Sequence, residues 1–259
     1  MLSHDQVAEF DRSGLIRLPA AISAEDSADM RDRIWSFLGE RDGIERTNVD
    51  SWPVGRVAQF QRLARSGGLD PIGKSGGISA ALDDLIGENN WQPGPCGVLV
   101  TFPEPESVWT VPTSSWHLDA APQNLGKGMS VRVFVILDDL EPQGGGTLVL
   151  AGSHRLVTRY LASSGPNPRS ADIKAKLGSA DPWLAGLWGN SSSSDEERAE
   201  RNSRYLDEGV IVDDVRVVVR EVHGTTGDVF LMHSDCFHAS APNSLERPRM
   251  MLASSGNQR

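Results

Sequence analysis

A change of pattern near residue 97 constrains this fold most. From there the chain reads as short runs rich in β-branched and apolar residues: Gly97 to Phe102, a run within Trp109 to Asp119, Met129 to Leu137, Gly144 to Leu150, Gly209 to Val222, Asp228 to Met232 and Arg247 to Ala253. Polar and glycine-containing turns separate them, and no regular alternation with amphipathic helices occurs. A parallel α/β sheet needs such helices as crossovers. The pattern therefore predicts a mainly β fold with flanking helices, in which layered or closed antiparallel sheets share one core.

The helices come first. Ser3 followed by Gln6 has the form of a capping box, Val7 and Phe10 share a helical face, and Gly14 ends the helix before a short strand, Leu15 to Leu18. Ser23 with Asp26 opens a second helix whose buried stripe is Met30, Ile34, Phe37 and Leu38, with Gly39 as its expected stop. Arg56 to Arg65 and Ile78 to Ile86 read as two more. At 259 residues a single domain is expected, helical over 1–90, with a β core over about 97–255 and an insertion over about 157–207. Pro166, Pro168 and Pro182 interrupt that insertion, and Ser191 to Ser194 with the following acidic run reads as mobile. A segment of this kind is either a lid over a site or a solvated insertion.

Composition narrows the function. A net charge of −10 argues against the basic surface that nucleic-acid binding requires. No apolar run reaches the roughly 20 residues that span a bilayer, and the N-terminus lacks a basic segment followed by an apolar run. Cys96 and Cys236 read as two reduced thiols, so a cytoplasmic location is expected. Gly73-Lys74-Ser75 lacks the spacing of a phosphate loop.

Three residues stand out chemically. On a strand, His117 and Asp119 project to the same face while Leu118 packs on the other. His238, far along the chain, supplies a second imidazole if the sheets bring it near. Two imidazoles and one carboxylate on one face of an ion leave its other positions open, which is the donor set of non-heme Fe(II) oxygenases. His-x-Asp alone is also the signature of a hydrogen-bonded pair that merely stabilises a strand. His233 and Asp235 are alternative donors, and His154 reads as a structural turn residue. Arg132, amid apolar residues of its strand, faces either a cavity or solvent.

The second half of the pattern is more specific. His238-Ala239-Ser240-Ala241-Pro242-Asn243 is followed by Arg249, eleven positions after the histidine. Together with Val7 to Gly14, His117-Leu118-Asp119, and Gly145-Gly146-Thr147-Leu148-Val149-Leu150-Ala151-Gly152-Ser153-His154, it resembles the phytanoyl-CoA dioxygenase family of Fe(II)- and 2-oxoglutarate-dependent oxygenases. The resemblance covers most of the chain. Ala239, where the family often has glycine, and Ala151, where it often has proline, are the departures. The resemblance implies a double-stranded β-helix, or jelly roll, with iron held by His117, Asp119 and His238. It implies that Arg249 pairs with the distal carboxylate of 2-oxoglutarate and that Ser240 helps hold the same group. Thr147 is a further cosubstrate candidate, though a strand-opening threonine needs no such role.

The implied reaction consumes O2 and 2-oxoglutarate, releases succinate and CO2, and hydroxylates an unactivated C–H bond of a small organic or secondary-metabolite substrate. Related halogenases have a small residue in place of the carboxylate, so Asp119 favours hydroxylation. Desaturation, epimerisation and ring formation are open to the same machinery. Trp109, Trp116, Trp183 and Trp188 read either as pocket lining or as core. Two other classes remain open at the level of sequence: a cupin-like metalloenzyme that does not use 2-oxoglutarate, and a non-catalytic binding module. Neither a nucleic-acid nor a membrane partner is expected, and the oligomeric state is not legible.

Overall fold

The structure, a computed structural model, describes residues 1–119, 125, 128–163, 168–189 and 194–259. Its first helix, α1 (His4–Ser13), has the expected capping box, with Ser3 Oγ accepting from Gln6 N and the Gln6 side chain accepting from Ser3 N. It ends at Gly14, φ +69°, where an added Cβ would strike Cys236 Sγ and the His154 ring. Only glycine lets β1 (Leu15–Leu18) leave at this angle.

Helix α2 (Ala24–Asp42) starts at Ser23 as read but runs through Gly39 and stops at Gly43, φ +70°. An interior glycine costs a helix only about 1 kcal/mol, and the buried Ile34 and Leu38 hold this one to the core. A left-handed residue is what ends it. The helix expected over 56–65 is divided instead. Arg56–Val57 forms β2, Gln59 takes φ +69°, and α3 spans only Gln61–Arg65. Helix α4 (Gly76–Ile86) follows, capped by Ser75.

The strands are β3 (Trp91–Pro93), β4 (Gly97–Thr101), β5 (Ser130–Ile136), β6 (Thr147–Ala151), β7 (Val210–Val212), β8 (Val215–Glu221), β9 (Val229–His233), β10 (His238–Ser240) and β11 (Arg249–Gln258). They form two antiparallel sheets. The larger runs β1-β9-β5-β11-β4-β2, with β3 also on β11, and the smaller runs β10-β6-β8-β7. This is the mainly β, two-sheet jelly roll expected, with sheets that do not close into a barrel.

Two strand assignments need correction. Gly209 to Val222 is a hairpin, because Asp213 and Asp214 both take positive φ, the turn that suits a two-residue connection. Trp109 to Asp119 forms no strand. It meets the smaller sheet through the single bridge His117–His238.

Apolar residues sort into three layers. The outer face of the larger sheet, with Val133, Val135 and Leu252, packs on Ile34 and Leu38 of α2 and Ile78 and Leu82 of α4. Phe134, Ile136, Val149, Met232 and Met251 fill the space between the sheets. The outer face of the smaller sheet, with Leu148, Leu150, Val217 and Val219, packs on the 157–207 region.

That region is helical, comprising α5 (Ser153–Ser163), α6 (Ser170–Ala180), α7 (Pro182–Leu187), α8 (Asp195–Asn202) and a π-helical turn, Ser203–Glu208. Pro182 does not break it. It begins α7, where a missing N–H costs nothing. Trp183, Leu184, Leu187 and Tyr205 are buried, so the described part is a buttress and not a solvated insertion. Pro166 and residues 191–193 lie outside the described residues.

Candidate metal centre

His117 and His238 come together through the backbone. Each donates its N–H to the other's carbonyl, at 2.9 and 3.1 Å, and their rings lie 4.3 Å apart. Ser115, φ +64°, turns the chain into this bridge. Trp116 and Leu118 on either side of His117 are buried against the helical buttress. Lys174 of α6 donates to Trp116 O at 3.2 Å, and Leu118 N donates to Ser170 Oγ at 3.3 Å. Further back, Arg201 donates to Val111 O and Pro112 O, and Asn202 Oδ1 accepts from Val111 N. A segment without strand pairing is thus fixed by side chains of α6 and α8.

Both imidazoles are aimed by their Nδ1 atoms. Nδ1–H of His117 donates to Ser115 O at 2.6 Å, and Nδ1–H of His238 donates to Cys236 O at 3.2 Å. Each ring therefore keeps Nε2 as the free nitrogen. Both Nε2 atoms point at Asp119, 3.6 Å from Oδ1 and 3.3 Å from Oδ2 respectively. One donor atom from each of the three residues lies within 4.8 Å of the other two, close enough to share one ion. Side-chain exposure is 49% at His117, 23% at Asp119 and 7% at His238, so the cluster opens on the His117 side.

Arg132 joins this cluster. It projects inward from β5 and donates Nε to Asp119 Oδ2 at 2.6 Å. Burial alone would raise the Asp119 carboxyl, but the two imidazoles beside it and the Arg132 guanidinium bonded to it hold it far below the usual carboxylate range. The same pairing with Asp119 raises His117 above the ordinary histidine value. Sequence left open whether Arg132 faces a cavity or solvent; it faces the site.

Arg249 reaches across from the larger sheet. Its Nη1 donates to Gly145 O, just before β6, and its Nε is buried with no hydrogen-bond partner among the described residues. Burial, followed by repulsion from Arg56, pushes it down to about 10. An orphaned guanidinium N–H costs a folded protein unless something accepts it, and a carboxylate is the matching acceptor. Thr147 and Ser240 pair across β6 and β10, and alternation puts both on the face that carries His238. Among the described residues neither hydroxyl has a hydrogen-bond partner. The donor set thus fits a divalent metal, and the orphaned guanidinium fits an anionic cosubstrate beside it.

The alternative donors are elsewhere. His233 packs against Phe10 and His154, with ring centroids 6.1 and 4.9 Å away, and burial pushes it down to about 4. His154 is buried near Asp11 O and Cys236 Sγ, as a structural histidine should be. Asp235 is buried outside the cluster and pushed up to about 6. Both cysteines are free.

The phytanoyl-CoA dioxygenase family pattern matches residues 10–251, nearly the whole chain. The chain belongs to that family. An ectoine dioxygenase of Sphingopyxis alaskensis is 25% identical over 178 residues, which is 64% of this chain and 54% of that protein. The chain thus matches about half the length of this curated relative.

Solved structures share the fold at lower identity. The epimerase SnoN of nogalamycin biosynthesis, in complex with Fe3+, α-ketoglutarate and nogalamycin RO, is 19% identical with a TM-score of 0.54, covering 98% of this chain and 82% of its own. HygX of Streptomyces hygroscopicus, with nickel and 2-oxoglutarate bound, is 15% identical with a TM-score of 0.54, covering 100% of this chain and 88% of its own.

Proposed function

We propose that this family member is an Fe(II)- and 2-oxoglutarate-dependent dioxygenase that hydroxylates an unactivated C–H bond of a small organic molecule, releasing succinate and CO2. The observation that carries this reading is the convergence of two Nε2 atoms and one carboxylate within 4.8 Å. A buried arginine with an orphaned N–H supports it from the facing sheet.

In this reading His117, Asp119 and His238 hold the iron, and iron with 2-oxoglutarate and O2 supplies the oxidising chemistry when bound. The backbone carbonyls of Ser115 and Cys236 fix both rings in the tautomer that offers Nε2. Arg132 occupies one oxygen of Asp119 and leaves the other to the metal. Arg249 receives the distal carboxylate of 2-oxoglutarate, with Ser240 as a second donor and Thr147 as a third. The buried Phe134, Val149 and Met251 exclude water from the inner side.

The presence of Asp119 favours hydroxylation over halogenation. The ectoine relative makes a compact polar metabolite a reasonable first substrate class. A cytoplasmic location belongs to the same proposal and is supported by the two free cysteines. No helix among the described residues is long and apolar enough to cross a membrane.

The test is turnover. Iron-loaded protein incubated with 2-oxoglutarate in air should form succinate. With 18O2 and a metabolite screen it should give a product one labelled oxygen heavier. Firmly bound iron with no succinate from any mixture would favour a cupin-like metalloenzyme, and failure to bind iron would favour a binding module.

A further inference from the structure

On the side of the intersheet space away from β10, the sheets part. There β1 is the edge of the larger sheet, and β8 is paired by β7 only between Val215 and Val217. A cavity of about 440 Å³ opens between them, within the roughly 300–1,000 Å³ typical of small-molecule sites. Its floor is apolar, formed by Leu15, Ala151, Val218 and Phe230, the last three nearly fully buried. None of its lining residues belongs to the metal cluster.

Four arginines reach the cavity, and they are not equivalent. Arg12 pairs with Glu9, and Arg17 pairs with the buried Asp228 at 2.5 Å. Arg216 and Arg220 have no carboxylate partner among the described residues. Arg216 donates Nη2 to Glu208 O at 3.0 Å, and Arg220 donates Nη1 to Leu206 O at 3.2 Å. Carbonyls orient a guanidinium without cancelling its charge. Four positions apart on one strand, the two arginines share a face on either side of Val218.

The remaining charged lining group is Glu221. Its carboxylate oxygens accept from Gln143 N at 2.9 and 3.1 Å, and burial pushes it up to about 7. Near neutral pH it therefore opposes an anion only in part. In a chain of net charge −10, two uncompensated cations beside an apolar floor are a selective feature.

We propose that this cavity is a second ligand site, separate from the metal centre, for an amphipathic organic anion. Arg216 and Arg220 hold its carboxylate or sulfonate head, and Leu15, Ala151, Val218 and Phe230 hold its apolar body. The fork of each guanidinium suits a two-oxygen head group. The proposal does not depend on the oxygenase reading.

The test uses the full chain and 8-anilinonaphthalene-1-sulfonate as a fluorescent probe. The parent protein should bind it saturably. Decanoate should displace it and decan-1-amine should not, because only the head-group charge differs in sign. The double variant R216Q/R220Q should bind the probe about tenfold more weakly, the loss expected when charge-assisted contacts are removed, with its melting temperature unchanged because both side chains are exposed. R216K/R220K should restore part of the affinity. Equal probe affinity in parent and R216Q/R220Q, equal displacement by amine and acid, or no saturable binding would each overturn the proposal. If the double variant fails to fold, R216Q and R220Q singly give the same reading.

Discussion

The two sides of the intersheet space use arginine in opposite ways. On the β10 side, Arg132 is tied to Asp119 and Arg249 is buried against Gly145 O. Both imidazoles there have a fixed direction, set by the carbonyls that choose which nitrogen is free. On the β8 side, Arg216 and Arg220 are exposed and lean on carbonyls without a countercharge. The contrast matches two kinds of recognition. A metal and a chelating cosubstrate need bond directions, which hydrogen-bonded side chains hold. An amphipathic anion needs charge and apolar area, which exposed arginines over Val218 and Phe230 supply.

The largest effect should come from His238→Ala. It should retain no iron through desalting while its probe binding at the β8 side stays at the parent level. Loss at both sides would mean that the two regions are one folding unit and not two sites. Full iron occupancy would mean that His238 is not a ligand.

Next is Arg132→Leu, which frees Asp119 Oδ2. Partners of metal ligands typically contribute about 10- to 100-fold in affinity, and a loss in that range is expected in an anaerobic Fe(II) titration. Arg132→Lys should recover part of it. Unchanged affinity would make Arg132 a bystander at the site.

The smallest effect concerns Glu221 and sharpens the β8 side. Its folded pKa, about 7, lies above the ordinary glutamate value of 4.5. The folded state therefore holds a proton that the unfolded state has released. Stability from this group is fully present below about 4.5 and is lost as pH rises through 7. Glu221→Gln should be neutral near pH 4.5 and stabilising above pH 7, by on the order of 1–3 kcal/mol in denaturant unfolding. A variant whose effect does not change with pH would show that Glu221 is solvated.

How much of this was legible in the sequence follows from what each signal depends on. The capping box at Ser3 and the stop at Gly14 are local, and both are present as read. That His117, Asp119 and His238 meet was also legible, because residue type and the later His238 motif need no knowledge of packing. Arg132 was not assignable. Its strand is apolar on both faces because both are buried, so alternation could not tell inside from outside.

The segment carrying His117 was read as a strand on composition, yet its order comes from α6 and α8 through Lys174, Ser170 and Arg201. Those contacts join residues far apart in the chain. The 157–207 region was read as an insertion between strands, which it is, but its helical packing was not legible for a related reason. Pro182 was counted as a breaker when it starts a helix, and the faces of Trp183, Leu184 and Tyr205 are apolar only in relation to the sheet they cover.

The central claim is that iron at His117, Asp119 and His238 meets 2-oxoglutarate held by Arg249. The most direct measurement is an anaerobic titration of Fe(II)-loaded protein with 2-oxoglutarate, followed by its visible difference spectrum. A weak, saturable charge-transfer band that disappears in Arg249→Ala at the same iron content is the predicted result. Bound iron with no band, or a band that Arg249→Ala leaves at full strength and affinity, would contradict it.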